Sequence, residues 1–360
     1  MAHNMLVPVF MGEGRLEMQE RPTPQVKNWD DVLLRVEACG LCGTDLNILA
    51  VPPAHIAEVG IVLGHECIGT VEGVGAGVKY VRQGDRVVVA PRLHCNQCRY
   101  CRRGLPNQCE DYKTLGIHRD GGLAPYVVAP ERALYKISRA VALDDAVFAE
   151  VLSCVFGGTT RVAVNPGESV VILGAGPVGL LFGMLYRASG AGKIIVTDIA
   201  PFRLEIARKN GADVVINSRE QDVEAIVKEQ TGLGADIVVD GVGALLPQAL
   251  KLARRGGRIV LFGLQAHALL PVSQYLITRY ELTVQGAFGG ANQFPGVVQM
   301  LESGVIHPSS LITHRVAAAN VPEAFNAMRA GETMKVIVTH DEPSADLQAS
   351  CVRMAVSRAP

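Results

Sequence analysis

Residues 169–198, SVVILGAGPVGLLFGMLYRASGAGKIIVTD, decide the fold that we predict for this chain. Residues 170–173 are a short apolar run rich in β-branched side chains, which is typical of a strand buried on both faces. A glycine-rich turn follows, residues 180–188 have the composition of a buried helix, and residues 193–197 predict the next strand. This order predicts the start of a nucleotide-binding α/β unit.

The glycine-rich turn has the order G-x-G-x-x-G, beginning at Gly174. In such a turn Gly174 permits the tight bend, Gly176 leaves room for a pyrophosphate, and Gly179 lets helix and strand pack closely. Pro177 and Val178 complete the motif at the helix N-terminus, where free N–H groups and the positive dipole end favour phosphate. The turn therefore predicts a dinucleotide site.

The end of the second strand bears on which dinucleotide binds. Asp198 stands nineteen residues after Gly179, where a carboxylate can accept hydrogen bonds from the adenosine ribose hydroxyls and would repel a 2′-phosphate. This position favours NAD. Arg203, five residues further on, is an alternative partner for a 2′-phosphate.

A membrane span is the competing interpretation of this region. Residues 169–186 carry no charge over eighteen residues, which meets the length of a candidate span. The glycines and the proline of the turn fall inside this stretch, and strand–turn–helix explains them better.

The chain length, amino-acid composition and net charge fit an enzyme of two domains. The chain has 360 residues, with 49% hydrophobic and 19% charged residues and a net charge of −1, so the charge does not indicate nucleic acid or an anionic membrane as a partner. The N-terminus lacks the order of a signal peptide. Clustered cysteines without an export signal indicate metal ligands in a reducing cytoplasm.

The alternation of strands and helices continues after Asp198. Strands are predicted at 214–217, 237–240, 258–262 and 282–284, with helices at 202–210, 221–231 and 246–254 between them. Together with the first two strands, this predicts a doubly wound, parallel, six-stranded Rossmann sheet of order 3-2-1-4-5-6.

The remaining segments look β-rich and predict a second domain. Residues 31–37, 84–90 and 124–129 have strand patterns, and 335–339 predicts a strand that closes this domain. We therefore predict a catalytic domain from 1–152 and 288–340, a cofactor domain from 153–287, and a loose tail from 341–360.

Four cysteines form the strongest metal motif. Cys95, Cys98, Cys101 and Cys109 have the spacing C-x2-C-x2-C-x7-C, which matches a closed tetrahedral zinc site. An iron–sulfur cluster also takes four cysteines, but both common ferredoxin spacings differ from this one. We predict a structural zinc ion here.

Three further features are weaker signals when each is taken alone. Cys39 and Cys42 have the C-x-x-C spacing of a redox pair, but no thioredoxin-like βαβ unit surrounds them. His65 beside Glu66 is more often a hydrogen-bonded loop histidine than a ligand. Glu150 is either a surface residue at a helix end or a buried functional carboxylate, and its apolar neighbours favour burial.

Taken together, these motifs resemble the zinc-dependent medium-chain alcohol and polyol dehydrogenases of the sorbitol and threonine type. The resemblance runs from about residue 5 to residue 340 and rests on residues 39–45, 64–78, 95–109, Glu150 and 174–198. It implies a GroES-like β-rich catalytic domain beside the Rossmann domain, two zinc ions per chain, NAD, and a homo-oligomer, either dimer or tetramer.

The resemblance also implies a catalytic zinc site. Cys42 and His65 would hold the metal, Glu150 would stand near its fourth corner, and Glu66 could join the metal or its water. Asp45 would orient His65 through the other ring nitrogen. Cys39, Cys67 and Cys154 are not implied as ligands, and Arg203 is placed on the ribose or adenine side of the cofactor.

A proton route and three departures follow from the same comparison. Thr44 would accept the alcohol proton, but Asn47 stands where many alcohol dehydrogenases have the histidine that ends the relay, so the exit route is left open. Residues 288–290 read Phe-Gly-Gly where sorbitol-type members have Phe-Arg-Tyr, which enlarges the pocket and disfavours sorbitol itself. Pro125 replaces a glutamate that is common in the family.

The predicted function is oxidation of a secondary alcohol carried by a polyol, sugar or cyclitol, with hydride transfer to NAD. One alternative is a threonine-type 3-hydroxy amino acid dehydrogenase, because residues 327–337 resemble that subgroup. An alternative of another class is a catalytically silent subunit that binds zinc and nucleotide.

Overall fold

The computed structural model describes residues 4–290 and 292–340, and the tail predicted at 341–360 lies outside them. The strands, numbered β1 to β17 in chain order, are Asn4–Phe10, Leu16–Pro22, Asp31–Gly40, Glu66–Val74, Arg86–Val89, Arg92–Leu93, Lys113–Thr114, Tyr126–Pro130, Leu134–Lys136, Ser169–Leu173, Lys193–Asp198, Val214–Asn217, Ala235–Asp240, Ala253–Leu261, Thr283–Gly286, Ile312–Ala317 and Lys335–Thr339. The α-helices, numbered α1 to α10, are Gly43–Ile48, Leu143–Ala146, Ala149–Arg161, Pro177–Ala188, Pro201–Lys209, Val223–Thr231, Leu246–Leu252, Gln274–Arg279, Phe294–Glu302 and Val321–Arg329.

The chain forms two compact units. One comprises the described residues of Met1–Cys95, Asp111–Glu150 and Ile312–Pro360, and the other comprises Asn96–Glu110 and Val151–Leu311. Residues 288–311 and residues 96–110, which carry three of the four clustered cysteines, thus belong to the second unit. The sequence analysis predicted both segments as parts of the catalytic domain. The two segments contact each other, because the side chain of Asn107 donates a 2.8 Å hydrogen bond to the carbonyl of Phe288. Which segments fold as one domain stays a prediction.

The second unit is built on a six-stranded parallel sheet. Its strand order is β12-β11-β10-β13-β14-β15, which confirms the predicted order 3-2-1-4-5-6. Every residue of β10 is buried, as expected of a central parallel strand with helices on both faces. Residues 169–186 are therefore a strand, a turn and a helix. In the described part of the chain, no helix combines the length and apolar character that a membrane crossing takes.

Helix α7 and strand β14 differ from the sequence prediction. The predicted helix 246–254 ends at Leu252, and β14 begins at Ala253 instead of residue 258. The register of β14 on β13 shifts in this region, and Gly256 has a φ of 71°. Only glycine adopts that backbone conformation without strain, so the irregular strand start depends on it.

The first unit is built on a mostly antiparallel sheet of order β16-β17-β3-β4-β5-β9, with β8 also paired to β3. Strand β3 alternates between buried and partly exposed residues, and Val32, Leu34 and Val36 enter the core. Strand β17 pairs with the end of β3, so the strand predicted at 335–339 is present in this sheet, where it lies between β3 and β16. The end of β3 and the start of β4 lie side by side, with Gly40 opposite Glu66.

Candidate active site

Three potential metal ligands converge in the first unit, at the end of the β3–β4 pair. The sulfur of Cys42, a ring nitrogen of His65 and a carboxylate oxygen of Glu66 all lie within 4.8 Å of one another. Cys42 directly precedes α1, and His65 directly precedes β4. His65 and Glu66 are buried, whereas Cys42 is partly exposed. The group therefore has one side that solvent can reach.

The local sequence Cys-Gly-Thr-Asp fixes the position of the Cys42 sulfur. Cys42 is the N-cap of α1, and its sulfur accepts a hydrogen bond from the backbone N–H of Thr44 at 3.5 Å. A second hydrogen bond runs in the opposite direction: Oδ2 of Asp45 accepts from the backbone N–H of Cys42 at 2.9 Å. These reciprocal bonds form a capping box, which holds the loop and the ligand atom together.

The second oxygen of Asp45 faces the histidine. Oδ1 lies 3.6 Å from Nδ1 of His65, and among the described residues neither atom has a hydrogen-bond partner. Asp45 is fully buried, so its carboxylate acts on the imidazole with little screening. A carboxylate on one ring nitrogen can orient the other nitrogen toward a metal. This is the role that the family resemblance implies for Asp45, and it stays a prediction.

These residues fit a zinc ion. Thiolate, imidazole and carboxylate are the donors that zinc takes in proteins, and three protein ligands leave a position open for substrate. Burial lowers the pKa of His65, but the Asp45 carboxylate and the Cys42 sulfur outweigh it and raise that pKa well above its usual value. The surroundings of the imidazole therefore favour positive charge.

Glu150 does not belong to this converging group, although the sequence placed it near the fourth corner of the metal. It lies in the first turn of α3 and is partly exposed. Burial raises the pKa of its carboxyl, the positive charge of His65 opposes this, and Glu66 adds to it. Glu150 is thus within electrostatic reach of the group, and its role as a ligand stays a prediction.

The sequence analysis missed one buried charge beside the group. Lys335 is 3% exposed and donates hydrogen bonds to Oε2 of Glu66 and, at 3.0 Å, to the carbonyl of Leu41. Burial alone would lower the pKa of Lys335, but the Glu66 carboxylate raises it above its usual value. The available signal was a single charge opening a strand that continues Val-Ile-Val.

The two residues of the predicted proton route differ in exposure. Thr44 is partly exposed in the first turn of α1, two residues after Cys42. Asn47 is exposed, and its backbone carbonyl accepts hydrogen bonds from the N–H groups of Ala54 and His55 at 2.9 and 3.3 Å. Their part in proton transfer stays a prediction.

The four cysteines of residues 95–109, a segment called the lobe from here on, also converge. The sulfurs of Cys95, Cys98, Cys101 and Cys109 lie within 4.8 Å of one another. Hydrogen bonds from the backbone N–H groups of Cys101 and Glu110 lower the pKa of Cys98 to about 6. A thiolate at neutral pH is the form that binds zinc, so this loop fits the predicted structural ion.

The glycine turn of the second unit has the form that a dinucleotide site requires. Gly174 has a φ of 100°, and a Cβ on Gly179 would collide with the carbonyl of Gly174. A Cβ on Gly176, by contrast, would meet no atom within 4 Å. Gly176 is the N-cap of α4 without a side-chain cap, followed by Pro177 and Val178. Open space at an uncapped helix N-terminus fits a pyrophosphate.

Asp198 ends β11 beside this turn. Its Oδ2 accepts from the backbone N–H of Ala175 at 2.8 Å, and its Oδ1 accepts from that of Ala200 at 2.9 Å. Each oxygen keeps a second lone pair, so the held carboxylate can still accept from two hydroxyls. The buried Nε of Arg203 has no hydrogen-bond partner in the described residues. Both residues fit a cofactor with a ribose.

The fold and these sites define a zinc-dependent oxidoreductase that uses a dinucleotide. A family profile described as "Alcohol dehydrogenase GroES-like domain" matches residues 28–139, and one described as "Zinc-binding dehydrogenase" matches residues 177–303. The sorbitol dehydrogenase of Bacillus subtilis is 33% identical over 343 residues, which cover 93% of this chain and 97% of that one. The chain belongs to the zinc-dependent medium-chain alcohol and polyol dehydrogenase family.

Two solved structures agree with this assignment. A zinc-binding dehydrogenase from Sinorhizobium meliloti, bound to NADP, has a TM-score of 0.88 and 28% identity, and the match covers 94% of this chain and 99% of that one. An alcohol dehydrogenase from Escherichia coli CFT073, complexed with NADH, has a TM-score of 0.87 and 31% identity over 93% and 99% of the two chains. The protein is thus a zinc alcohol dehydrogenase with a nicotinamide cofactor.

Proposed function

We propose that the protein oxidises a secondary alcohol group on a polyol, sugar or cyclitol and passes the hydride to NAD. The observation that carries the proposal is the convergence of Cys42, His65 and Glu66 in a chain that also bears the glycine turn. Cys42 and His65 hold the catalytic zinc, and Glu66 and Glu150 supply carboxylates at or beside it. A zinc ion there lowers the pKa of a substrate hydroxyl and so favours loss of its proton.

A panel of alcohols with NAD tests this proposal by following NADH formation. We expect polyols or cyclitols with a secondary hydroxyl to be oxidised faster than threonine. Preferred oxidation of threonine would instead support the 3-hydroxy amino acid dehydrogenase. A protein that keeps both metals but oxidises no member of the panel would support the silent binder.

Thr44 is the proposed first member of a proton relay: its hydroxyl would accept the alcohol proton and give up its own proton to the cofactor ribose. Replacing it by alanine removes the hydroxyl that receives the proton, and general-base catalysis is worth about 10²–10⁴-fold, so we expect kcat to fall at least ~10²-fold. Thr44→Ser keeps the hydroxyl and should retain most of the activity. Both variants should keep the wild-type zinc content. A Thr44→Ala enzyme with unchanged kcat would exclude this role.

Asp198 is the proposed determinant of NAD preference. Asp198→Ser removes the negative charge that repels a 2′-phosphate, so we expect the ratio of kcat/KM for NADP to that for NAD to rise ~10–100-fold, or about 1.4–2.8 kcal/mol. Asp222→Ser is the matched control, because the Asp222 side chain caps α6 by accepting from the backbone N–H of Ala225, a role that serine can also fill. Equal ratios in the two variants would contradict the assignment.

We further propose a homo-oligomer, dimer or tetramer, that works in the cytoplasm. Among the described residues, strand β15 is the last strand on one side of the parallel sheet, and the same unit exposes Leu264, Leu269 and Tyr275. An edge strand beside exposed apolar side chains is suited to pairing with a second copy. Thiol groups that act as metal ligands fit a reducing compartment. Analytical ultracentrifugation distinguishes the oligomer from a monomer.

A further inference from the structure

A buried lysine from the far end of the chain touches both segments that carry metal ligands. The ammonium of Lys335 bonds the side chain of Glu66, at the start of β4, and the carbonyl of Leu41, the residue before Cys42. The backbone adds a further tie, because the N–H of Leu41 donates to the carbonyl of Val336 at 3.0 Å. Strand β17 therefore contacts both ligand-bearing segments, through the side chain of Lys335 and through its backbone.

The fold makes room for this lysine. A Cβ on Gly40 would lie 2.9 Å from Nζ of Lys335 and would also collide with the carboxylate of Glu66. Any other residue at position 40 would push the pair apart. Lys335 and Glu66 are 3% and 1% exposed, so water does not screen them, and removing one partner leaves the other charge uncompensated.

The hydrogen bond from Lys335 also restricts how the Glu66 carboxylate can contact a metal ion. Its Oε2 accepts a hydrogen bond from Lys335, and a carboxylate oxygen of Glu66 lies within 4.8 Å of the ligand atoms of Cys42 and His65. The thiolate, the Glu66 carboxylate and the nearby Glu150 together carry more negative charge than one divalent ion neutralises. The ammonium supplies the missing positive charge at a fixed place.

We propose that Lys335 is a positioning residue for the catalytic zinc: it holds Glu66 by one oxygen, ties it to the Cys42 loop, and thereby retains the metal at this site. The inference rests on the proposed ligands Cys42 and His65 but not on any particular substrate. Lys335 acts through Glu66, and the cysteine lobe is independent of it.

Zinc retention tests the proposal without using enzyme activity. A chromogenic chelator added to the purified holoprotein resolves the two zinc ions by their rates of release. We expect Lys335→Met to speed release from the catalytic site at least ~10-fold, within the 10–100-fold range known for residues that support metal ligands, while release from the lobe stays unchanged. Lys335→Arg keeps the charge and should recover much of the retention.

A control lysine variant and a double variant show whether the effect on zinc release is specific to the Lys335–Glu66 pair. Lys136→Met is the matched control, because Lys136 pairs with Asp85 while 42% exposed, and it should release both ions as the wild type does. In a Glu66→Gln background, Lys335→Met should change the release rate less than ~3-fold, since coupled residues are not additive. If Lys335→Met fails to fold, Lys335→Gln takes its place, with the same expected results.

The proposal is overturned if the Lys335 variants retain the catalytic ion as the wild type does. It is equally overturned if they lose the lobe ion at the same accelerated rate, or if the effect persists undiminished without the Glu66 charge. Failure of the alcohol panel would contradict the proposed function but leave these release rates as they are, so the two failures are distinguishable.

Discussion

Replacing Cys42 by serine is expected to lower kcat/KM for alcohol oxidation by at least ~10³-fold, or about 4 kcal/mol. A serine hydroxyl is not ionised near neutral pH and is a weak zinc ligand, so the site loses its thiolate. The catalytic ion would then be lost or misplaced, and with it the several kcal/mol that a metal contributes to stabilising developing charge. Steady-state kinetics and zinc analysis measure the two effects together.

A cysteine outside the proposed site provides the control for this variant. Cys154 is partly exposed in α3, close to Glu150 in sequence, and the family resemblance does not make it a ligand. Cys154→Ser should keep the wild-type kcat/KM and both zinc ions. Comparable losses in the two variants, or an active Cys42→Ser enzyme with one zinc ion per chain, would contradict the ligand assignment.

The second large effect is expected in the glycine turn, where a substitution should weaken NAD binding. Gly176→Ala places a methyl group where no protein atom lies within 4 Å, so the fold should be unaffected. The same methyl group occupies the space proposed for the pyrophosphate, and we expect the KM for NAD to rise at least ~10-fold, or about 1.4 kcal/mol. Thermal unfolding checks the unchanged stability, and NAD titration checks the raised KM.

Gly179→Ala is the paired variant with the opposite pattern. Its Cβ would collide with the carbonyl of Gly174 and would lie 3.1 Å from Cγ2 of Ile172. Helix α4 must therefore move away from β10, and we expect a loss of stability of about 1–3 kcal/mol, as for other overpacked positions. If Gly176→Ala lowers the unfolding temperature while Gly179→Ala does not, the description of the turn is wrong.

Much of the cofactor unit was predictable because its signals are local. The buried run before Gly174, the glycine spacing and the carboxylate at Asp198 lie within thirty residues, and each has one simple structural meaning. The six strands alternate with helices, so each connection is a crossover and the strands are parallel, and the right-handedness of crossovers then limits the possible strand orders. The start of β14 could not be predicted, because Gly256 and the shifted pairing with β13 decide it.

The metal site was predictable in part. Cys42, Asp45 and His65 form recognisable local motifs, and the structure brings them together through the pairing of β3 with β4. Lys335 lies far along the chain from its partner Glu66. No local pattern indicates that its strand returns to β3, so only the assembled sheet reveals the pair. The position of Glu150 outside the converging group likewise depends on tertiary packing.

Anomalous diffraction at the zinc absorption edge tests the central claim most directly. We expect two peaks per chain: one among the four lobe sulfurs, and one bonded to the sulfur of Cys42 at ~2.3 Å and to a ring nitrogen of His65 at ~2.0–2.1 Å. A lobe peak alone, with Cys42 and His65 turned away from each other in the purified, zinc-supplied protein, would contradict the account.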